Sequence, residues 1–328
     1  MLEKKYEDIV VSSRIRLARN IKDYVFPNKI YDGAVANEII SKVFDTFPKF
    51  ENYKVQELDK NVLYSLKEKH LISDELVKNK HFGALSLSTD EQVSIMINEE
   101  EHIREQCILK GFSLETALQT ISEIDTKLSK NIDFCYDEKL GYITTCPSNL
   151  GTGMRASCML FLPALAMTNS LENLFNSLNS VGITVRGNYG ENSDFNGFLF
   201  QVSNSQTLGL SEEQIIQNVS TAVLKICEKE QQARELILEN KYDELVDLVG
   251  RAYGVLKFCH SISSSEAIKL LSQVKLGICL NILFYDRIEE IDSLIEDVKP
   301  YTLNTIAGKN MDDFERDMFR AEYIKQKI

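Results

Sequence analysis

The sequence lacks the features that mark secreted, zinc-binding and membrane-spanning proteins. It has seven cysteines, an odd number, and no two of them form a CxxC pair. This pattern is typical neither of a disulfide framework nor of a zinc site, and it indicates a reducing compartment. The longest apolar stretch, residues 158–167, contains Pro163 and is far too short to cross a bilayer. Because the chain also begins with charged residues rather than a signal-peptide pattern, we expect a cytoplasmic protein without a membrane partner.

The sequence has fewer basic than acidic residues. The chain carries 37 lysines and arginines against 49 acidic residues, which gives a formal net charge of −12. A field of that sign repels phosphate backbones, so nucleic acid is not expected as a partner. A local basic cluster could still bind one polyphosphate, because salt screens the more distant charges.

The common nucleotide-binding motifs are absent or misplaced. There is no GxxxxGK[ST] loop and no HRD or DFG triplet. The segment from Gly151 to Ala156 matches the GxGxxA form of the dinucleotide fingerprint, and Glu172 stands near the position of its ribose-binding acid. That motif requires a strand ending at its first glycine and a series of parallel strands. Pro147 interrupts the first requirement and nothing in the sequence predicts the second, so we reject this interpretation.

Hydrophobic periodicity predicts two regions of different character. The first 240 residues mix strands and helices. The strands are predicted at residues 9–11, 83–87, 93–97, 142–145, 183–186 and 198–203, and the helices at 34–47, 101–109, 114–129 and 155–178. A capping-box pattern at Ser211–Gln214 begins a helix expected to run to about Asn240. Beyond it we predict only helices, at 242–258, 263–284, 287–297 and 311–326. We therefore predict a mixed domain over 1–240 and an all-helical domain over 241–328.

Four segments combine arginine with acidic or small residues at predicted strand ends and turns. They are SSRIRLAR (12–19), NEEEHIR (98–104), CPSNLGTGMRAS (146–157) and VRGNYGE (185–191). Each segment alone is consistent with a solvated face, a helix start or a turn. Arg14 and Arg16, however, are two residues apart and project to one side of an extended chain, where two guanidinium groups can clamp a phosphate. The glycines of the third segment, placed ahead of a predicted helix, are typical of a backbone anion site.

These four segments, in this order and spacing, resemble the ATP:guanidino phosphotransferases, the family of creatine and arginine kinases. The resemblance covers about residues 8–235 and implies an α+β fold: an antiparallel β-sheet flanked by helices, followed here by the all-α C-terminal domain. Creatine and arginine kinases have a helical domain before the SSRIR-like segment, whereas 11 residues precede Ser12 here. That difference and the helical tail resemble the bacterial protein-arginine kinase branch, in which an open cleft admits a protein side chain.

The resemblance also implies roles for individual residues. It assigns ATP and its phosphates to five arginines, namely Arg14, Arg16, Arg104, Arg155 and Arg186. It assigns the acceptor guanidinium to the catalytic carboxylates Glu100 and Glu191 and to Cys146, which we expect to act by positioning or electrostatics. Mg²⁺ is expected to enter on the phosphate oxygens, with no protein metal site. Glu101 stands where the family usually has aspartate, and its effect on the water bound to Mg²⁺ is open.

Near the C-terminus, RDMFRA (316–321) resembles the RDxxRA motif of the branch, which belongs to an allosteric phosphoarginine pocket. Arg316 and Arg320 are four residues apart on one helix face, and Asp317 is three from Arg320. The resemblance therefore implies that Arg316, Asp317, Arg320 and Ala321 form such a pocket, whereas spacing alone is equally typical of a surface ion-pair network.

We expect a protein-arginine kinase that acts in protein quality control and stress response. The resemblance implies a Clp-type ATPase or protease and a zinc-binding activator protein as partners, and the apolar helices after residue 240 favour a homodimer. Two alternatives stay open. One is a kinase for free arginine or another small guanidine, and the other is a phosphoarginine-binding regulatory module without catalysis.

Overall fold

A single antiparallel β-sheet organises the first two thirds of the chain. The computed structural model describes residues 6–30, 32–187, 197–284 and 288–328. The strands in chain order are β1 (Val10–Arg19), β2 (Glu51–Lys54), β3 (Ala84–Leu87), β4 (Val93–Ile97), β5 (Ile103–Lys110), β6 (Tyr136–Asp137), β7 (Gly141–Tyr142), β8 (Met154–Phe161), β9 (Ile183–Gly187) and β10 (Leu199–Asn204). Within the described ranges the main sheet has the order β2-β3-β4-β5-β1-β8-β10-β9, and β6 and β7 form a separate ribbon.

Helices surround this sheet and form the rest of the chain. They are α1 (Gly33–Thr46), α2 (Lys60–Glu68), α3 (Asp74–Lys78), α4 (Leu114–Ser129), α5 (Pro163–Met167), α6 (Leu171–Asn179), α7 (Glu212–Phe258), α8 (Ser264–Cys279), α9 (Ile288–Asp297), α10 (Pro300–Ala307) and α11 (Asp313–Lys327). No helix among the described residues combines the length and the apolarity needed to cross a membrane. The α+β class, with an antiparallel sheet and a helical C-terminal region, is confirmed.

The two faces of the sheet differ because side chains alternate along each strand. On β1, Ile15 and Leu17 are buried on the face that packs against α4, where Ile121 is also fully buried. Each such side chain stabilises the fold by about 1.5–3 kcal/mol on burial. We call this the back face. Arg14 and Arg16, which alternate with these residues, lie on the opposite front face, so the apolar back face fixes the direction in which the arginines point.

The helix predicted at residues 101–109 is wrong, because these residues form the turn after β4 and most of strand β5. The three acidic residues suggested a helix start, but Asn98 N–H donates to His102 O at 2.9 Å and closes a hairpin turn. Ile103, Glu105 and Cys107 are fully buried on one face of β5, and pairing with both β1 and β4 decides the structure.

The helix predicted at residues 155–178 is also wrong over its first part, which is the central strand β8. Both faces of β8 are covered, so Cys158, Leu160 and Phe161 are all fully buried. A continuous apolar run of this kind has no periodicity that separates strand from helix. Pro163 then begins α5, a position where proline is favoured.

The region after residue 240 continues α7 rather than starting a new helix. Lys241 has non-helical dihedral angles (φ −137°, ψ 26°) and marks a kink inside the helix. The first part of α7 covers the sheet, and the second part packs with α8 and α11. The division into domains at 1–240 and 241–328 stays a prediction.

The C-terminal helices also contact the sheet region through α2. The Glu68 carboxylate caps the start of α10, accepting hydrogen bonds from the backbone N–H groups of Tyr301 and Thr302 at 3.1 and 2.7 Å. The rings of Tyr64 and Tyr301 stack with 4.7 Å between their centroids. A carboxylate at a helix N-terminus is favoured by the helix dipole, so this contact ties α2 to α10.

Candidate active site

The strand register brings the predicted arginines together on the front face. Arg16 lies directly opposite Arg155 on β8, and Arg14 lies opposite Ser157, the next front-face residue of that strand. On the other side of β1, Arg104 of β5 is opposite Ala18, two residues beyond Arg16. Directly opposite residues of antiparallel strands are about 5 Å apart and share a face. Four of the predicted arginines therefore form one cluster.

Arg186 extends this cluster toward the sheet edge. It lies on β9 opposite Gln201, and Ser203, two residues along β10, is opposite Ser157 of β8. Arg155 Nη2 donates to Ser203 Oγ at 2.9 Å, which orients its guanidinium toward this side. Arg186 is exposed at the rim, whereas Arg155 is half-buried.

The cluster carries more positive charge than its surroundings neutralise. Burial, together with the charges of Arg155 and Arg104, lowers the pKa of Arg14 to about 10. Burial and the neighbouring arginines, Arg14 first among them, lower the pKa of Arg16 well below its usual value. The pKa of Arg155 is lowered by burial, Arg186 and Arg104. Arg14 and Arg16 donate no side-chain hydrogen bond to a described residue, and the Arg155 Nε is buried without an acceptor there. Such a cluster can bind a polyanion.

Arg104 differs from the other arginines because it already has carboxylate partners. Its Nη1 is 2.6 Å from Glu99 Oε1, and its Nη2 is 2.7 Å from Glu100 Oε2. Glu99 is buried and also accepts from the Ser73 hydroxyl, whereas the Glu100 side chain is 35% exposed. Arg104 therefore joins the arginine cluster to Glu100, and the predicted catalytic carboxylate faces solvent beside it.

Cys146 lies in the loop between β7 and β8, close to the turn that carries Glu100. It is half-buried, and its Sγ is 3.1 Å from Ser148 Oγ. Its backbone N–H donates to the carboxylate of Glu101 at 3.1 Å, so the loop is attached to the same turn. Glu191, the second predicted carboxylate, lies outside the described residues.

The glycines of the Cys146 segment precede a strand rather than a helix, and their function differs from that expected. A Cβ on Gly151 would lie 2.5 Å from Thr207 O, and one on Gly153 would lie 2.6 Å from Ala18 O. Both residues have positive φ, at 110° and 65°. Glycine is required at both positions because the backbone passes close to neighbouring chain segments.

A cavity of about 580 Å³ opens beside the arginine cluster. Arg14, Arg16 and His70 line one side of it, and residues at the starts of α8 and α10 line the other. Burial, with the charges of Lys299 and Arg14, lowers the pKa of His70 to about 3, so its ring is neutral at physiological pH. The position and size of the cavity fit a nucleotide whose phosphates contact the arginines.

The RDxxRA residues lie on α11, and they differ in how far they are already bonded. Arg320 is 1% exposed, and it donates to Val298 O and Ile262 O, each at 2.8 Å, and to Asp317. Arg316 is half-buried and donates to Asp313 and, at 3.4 Å, to Met311 O. Ala321 is fully buried. The structure thus places Arg320 in the packing between α8, α9 and α11, and Arg316 nearer the surface.

Two residues of the site have contacts that the sequence does not predict. His70 follows α2, a helix that the periodicity did not reveal, so its approach to Arg14 had no signal in the sequence. Glu101 was considered only in relation to Mg²⁺, yet it is fully buried and bonded to the Cys146 loop. The sequence carries no signal for this role of Glu101, because it depends on where the distant Cys146 loop lies.

Comparisons with known proteins agree with this geometry. The family model of the ATP:guanido phosphotransferase C-terminal catalytic domain matches residues 34–233, and that of the protein-arginine kinase McsB C-terminal domain matches residues 242–328. A protein-arginine kinase of Caldanaerobacter subterraneus subsp. tengcongensis is 40% identical, covering 98% of this chain and 97% of the relative. A protein-arginine kinase of Clostridium tetani is 42% identical, covering 98% of this chain and 95% of the relative.

Solved kinase structures are also similar to this chain, at lower sequence identity than these relatives. The substrate-free duplicated taurocyamine kinase of Schistosoma mansoni aligns with a TM-score of 0.62 and 26% identity, over 75% of this chain and 38% of that one. A lombricine kinase aligns with a TM-score of 0.61 and 23% identity, over 69% and 67% of the two chains, which shows the shared fold. The chain belongs to the ATP:guanido phosphotransferase family and, within it, to the protein-arginine kinases.

Proposed function

We propose that this protein transfers the γ-phosphoryl group of ATP to arginine side chains of other proteins. The observation that carries the proposal is the front-face cluster, in which unneutralised arginines lie beside the partly exposed carboxylate of Glu100. Phosphoryl transfer depends on positioning and on stabilising charge, and this arrangement supplies both.

The donor half of the site consists of Arg14, Arg16, Arg155 and Arg186, with Arg104 at its border. Their guanidinium groups would bind the phosphate oxygens in bidentate pairs and stabilise the charge that develops during transfer. Mg²⁺, when bound through the phosphates, would neutralise part of their charge. The described residues contain no group of three or more acidic, histidine or cysteine side chains able to hold a metal ion.

The acceptor half must handle a guanidinium, which is protonated at any cellular pH and is a poor nucleophile. Glu100 would accept a hydrogen bond from it and take its proton as the nitrogen–phosphorus bond forms and the bond to ADP breaks. Glu191 is proposed as the second carboxylate on the family resemblance. Cys146 would hold the guanidinium in place without a covalent intermediate, since its thiol lies on the loop joined to the Glu100 turn.

The finer assignments rest on the same resemblance. We propose a cytoplasmic protein that marks its substrates for a Clp-type protease, with a zinc-binding activator as a further partner. Arg316, Asp317, Arg320 and Ala321 would form an allosteric phosphoarginine site. Exposed apolar side chains on the second part of α7 support a homodimer; they are Tyr242, Val246, Val255 and Phe258. Light scattering on the purified protein would measure the oligomeric state.

The test is to incubate the protein with Mg-ATP and unfolded casein, then to map phosphorylated sites by mass spectrometry under conditions that preserve acid-labile phosphate. We expect phosphate on arginine nitrogen with the wild type and at least a 100-fold lower rate with Glu100→Gln, since the proton acceptor is lost. The surface variant Glu123→Gln serves as the matched control. Phosphorylation of free arginine but not of casein would favour a small-guanidine kinase, and binding of phosphoarginine without ATP turnover would favour a regulatory module.

A further inference from the structure

Glu101 has a different environment from the two acids before it. Its side chain is fully buried, and four donors from the protein occupy its two oxygens. Oε2 accepts from Asn20 Nδ2 at 2.6 Å and from the Thr145 N–H at 2.7 Å. Oε1 accepts from the Cys146 N–H at 3.1 Å and from Asn149 Nδ2 at 3.2 Å. Three of these donors belong to the Cys146 loop.

The Cys146 loop needs such an attachment because it is not a strand of the main sheet. Two of its other bonds run elsewhere, since Ile143 N–H donates to Cys135 O at 2.9 Å and Ser148 O accepts from the Thr207 hydroxyl at 3.1 Å. Neither contact reaches the turn that carries Glu100. Asn20 is the further link: its Oδ1 accepts from His102 N–H at 2.9 Å, and its Nδ2 donates to Glu101 and, at 3.2 Å, to Ile143 O of the loop.

We propose that Glu101 is a positioning residue that fixes Cys146 relative to Glu100. This inference rests on the proposed function, because those two residues are there assigned to the acceptor guanidinium. The three consecutive acids then have separate roles. Glu99 binds Arg104, Glu100 faces the acceptor, and Glu101 holds the Cys146 loop. Since both Glu101 oxygens are saturated by protein donors, its carboxylate has no place for a water bound to Mg²⁺.

The ionised carboxylate is essential to this arrangement. A buried charge is tolerated when several donors satisfy it, and charge-assisted hydrogen bonds are the stronger kind. Glutamine has nearly the same shape, but one of its two ends is an NH₂ group. In Glu101→Gln that group would face two N–H donors, so two of the four hydrogen bonds would be lost and the loop would move away from the turn.

The experiment follows the Cys146 thiol and the reaction separately. Iodoacetamide alkylation of each cysteine would be measured by peptide mass spectrometry in the wild type, Glu101→Gln, Asn149→Ala and the surface control Glu123→Gln. We expect alkylation of Cys146 to accelerate by about tenfold in Glu101→Gln, because the loop opens locally, while that of Cys259 in the helical region is unchanged. In the phosphorylation assay, kcat should fall by about 100-fold while the KM for ATP stays within twofold, since the arginines are untouched.

Asn149→Ala removes one donor from the half-buried rim of the loop and should shift both readouts in the same direction by a smaller factor. If Glu101→Gln does not fold, Asn149→Ala alone tests the proposal. Unchanged Cys146 alkylation and unchanged kcat in Asn149→Ala and Glu101→Gln would overturn the proposal. So would equal acceleration at Cys146 and Cys259, which would indicate general destabilisation. Alkylation needs no catalysis, so absence of kinase activity in the wild type would count against the proposed function and leave this test valid.

Discussion

The molecule contains two kinds of buried or half-buried arginine, and they differ in their counter-charges. On the front face, Arg14 and Arg16 donate no side-chain hydrogen bond to a described residue, and burial with mutual repulsion lowers their pKa values. On the back face, Arg19 is bound by both oxygens of Asp125 at 2.9 and 3.2 Å and stacks 3.6 Å above the Tyr142 ring. Burial opposes its charge, but the carboxylate of Asp125, by its charge and its hydrogen bonds, raises the pKa of Arg19.

The same contrast recurs in the helical part of the chain. Arg234 on α7 donates to Glu230 at 2.8 Å and to Asp8, and Arg320 on α11 donates to two backbone carbonyls and to Asp317. Residue type and burial are therefore similar in the two sets. An arginine that has protein acceptors stabilises the fold, whereas an arginine without them is available to bind an anion. Arginines 14, 16 and 19 show this within one strand, because alternation sends them to opposite faces.

The largest effect is expected for Arg155→Gln on the front face. The loss of one phosphate-binding guanidinium should lower kcat/KM by about 10²–10³-fold, as for the loss of a donor aimed at developing charge. The melting temperature should not fall, because a positive charge leaves a repulsive cluster. Arginine phosphorylation kinetics and calorimetry would measure both. The matched control is Arg251→Gln, whose side chain is 78% exposed and should leave both values unchanged.

Arg19→Met should show the reverse behaviour. Removing one partner of a buried ion pair costs about 3–5 kcal/mol, because Asp125 would keep an unpaired charge. Urea unfolding should show that loss, while the ATP affinity of the folded protein stays within about threefold, since the front face is unaffected. A stable Arg19→Met variant with impaired ATP binding would contradict the separation of framework arginines from phosphate-binding arginines.

The RDxxRA segment carries a fully bonded and a less bonded arginine on one helix. Arg320→Met should cost about 3 kcal/mol of stability, because it removes donors to the carbonyls of Val298 and Ile262 and leaves Asp317 unpaired. Arg316→Ala should cost less than about 1 kcal/mol, since its partners are solvent-exposed or distant. If the pair forms a phosphoarginine site, Arg316→Ala should weaken binding of free phosphoarginine by about tenfold. Binding that survives Arg316→Ala would contradict that site.

Glu105 on the back face gives a smaller, pH-dependent effect. It is fully buried, and no donor among the described residues reaches either of its carboxyl oxygens. Burial, and then the charge of Asp125, raise its pKa well above the usual value. The native state therefore keeps a proton that the unfolded chain loses near pH 4.3, so the free energy of unfolding falls as pH rises toward the native pKa, by at most about 1.4 kcal/mol per pH unit.

In Glu105→Gln this decline should disappear. Urea denaturation from pH 4.5 to 7.5 would measure the difference between variant and wild type, with the exposed Glu123→Gln as control. Parallel pH curves for Glu105→Gln and wild type would show that Glu105 is ionised in the folded protein, and that no buried protonated acid lies on the back face at this position.

Local pattern predicted part of this structure from the sequence. Strand β4 and helix α4 lie at the predicted residues 93–97 and 114–129, because alternation and helical spacing are clear there. Strands β5 and β8 were predicted as helices, because pairing on both sides and burial of both faces decided their structure. The front-face arginines were identified by their motifs, but their gathering depends on a register that the sequence does not state. The role of Glu101 depends on where a distant loop lies, which no local pattern reveals.

The most direct test uses the Arg16→Gln variant. Calorimetric titration measures its affinity for Mg-ATP, and thermal unfolding of the same samples measures its melting temperature with and without Mg-ATP. We expect ATP affinity to fall at least about tenfold and the ATP-induced rise in melting temperature to be lost, while the ligand-free melting temperature equals or exceeds that of the wild type. Undiminished ATP affinity, or a ligand-free protein clearly less stable than the wild type, would contradict the claim that the front-face arginines form a phosphate site rather than part of the framework.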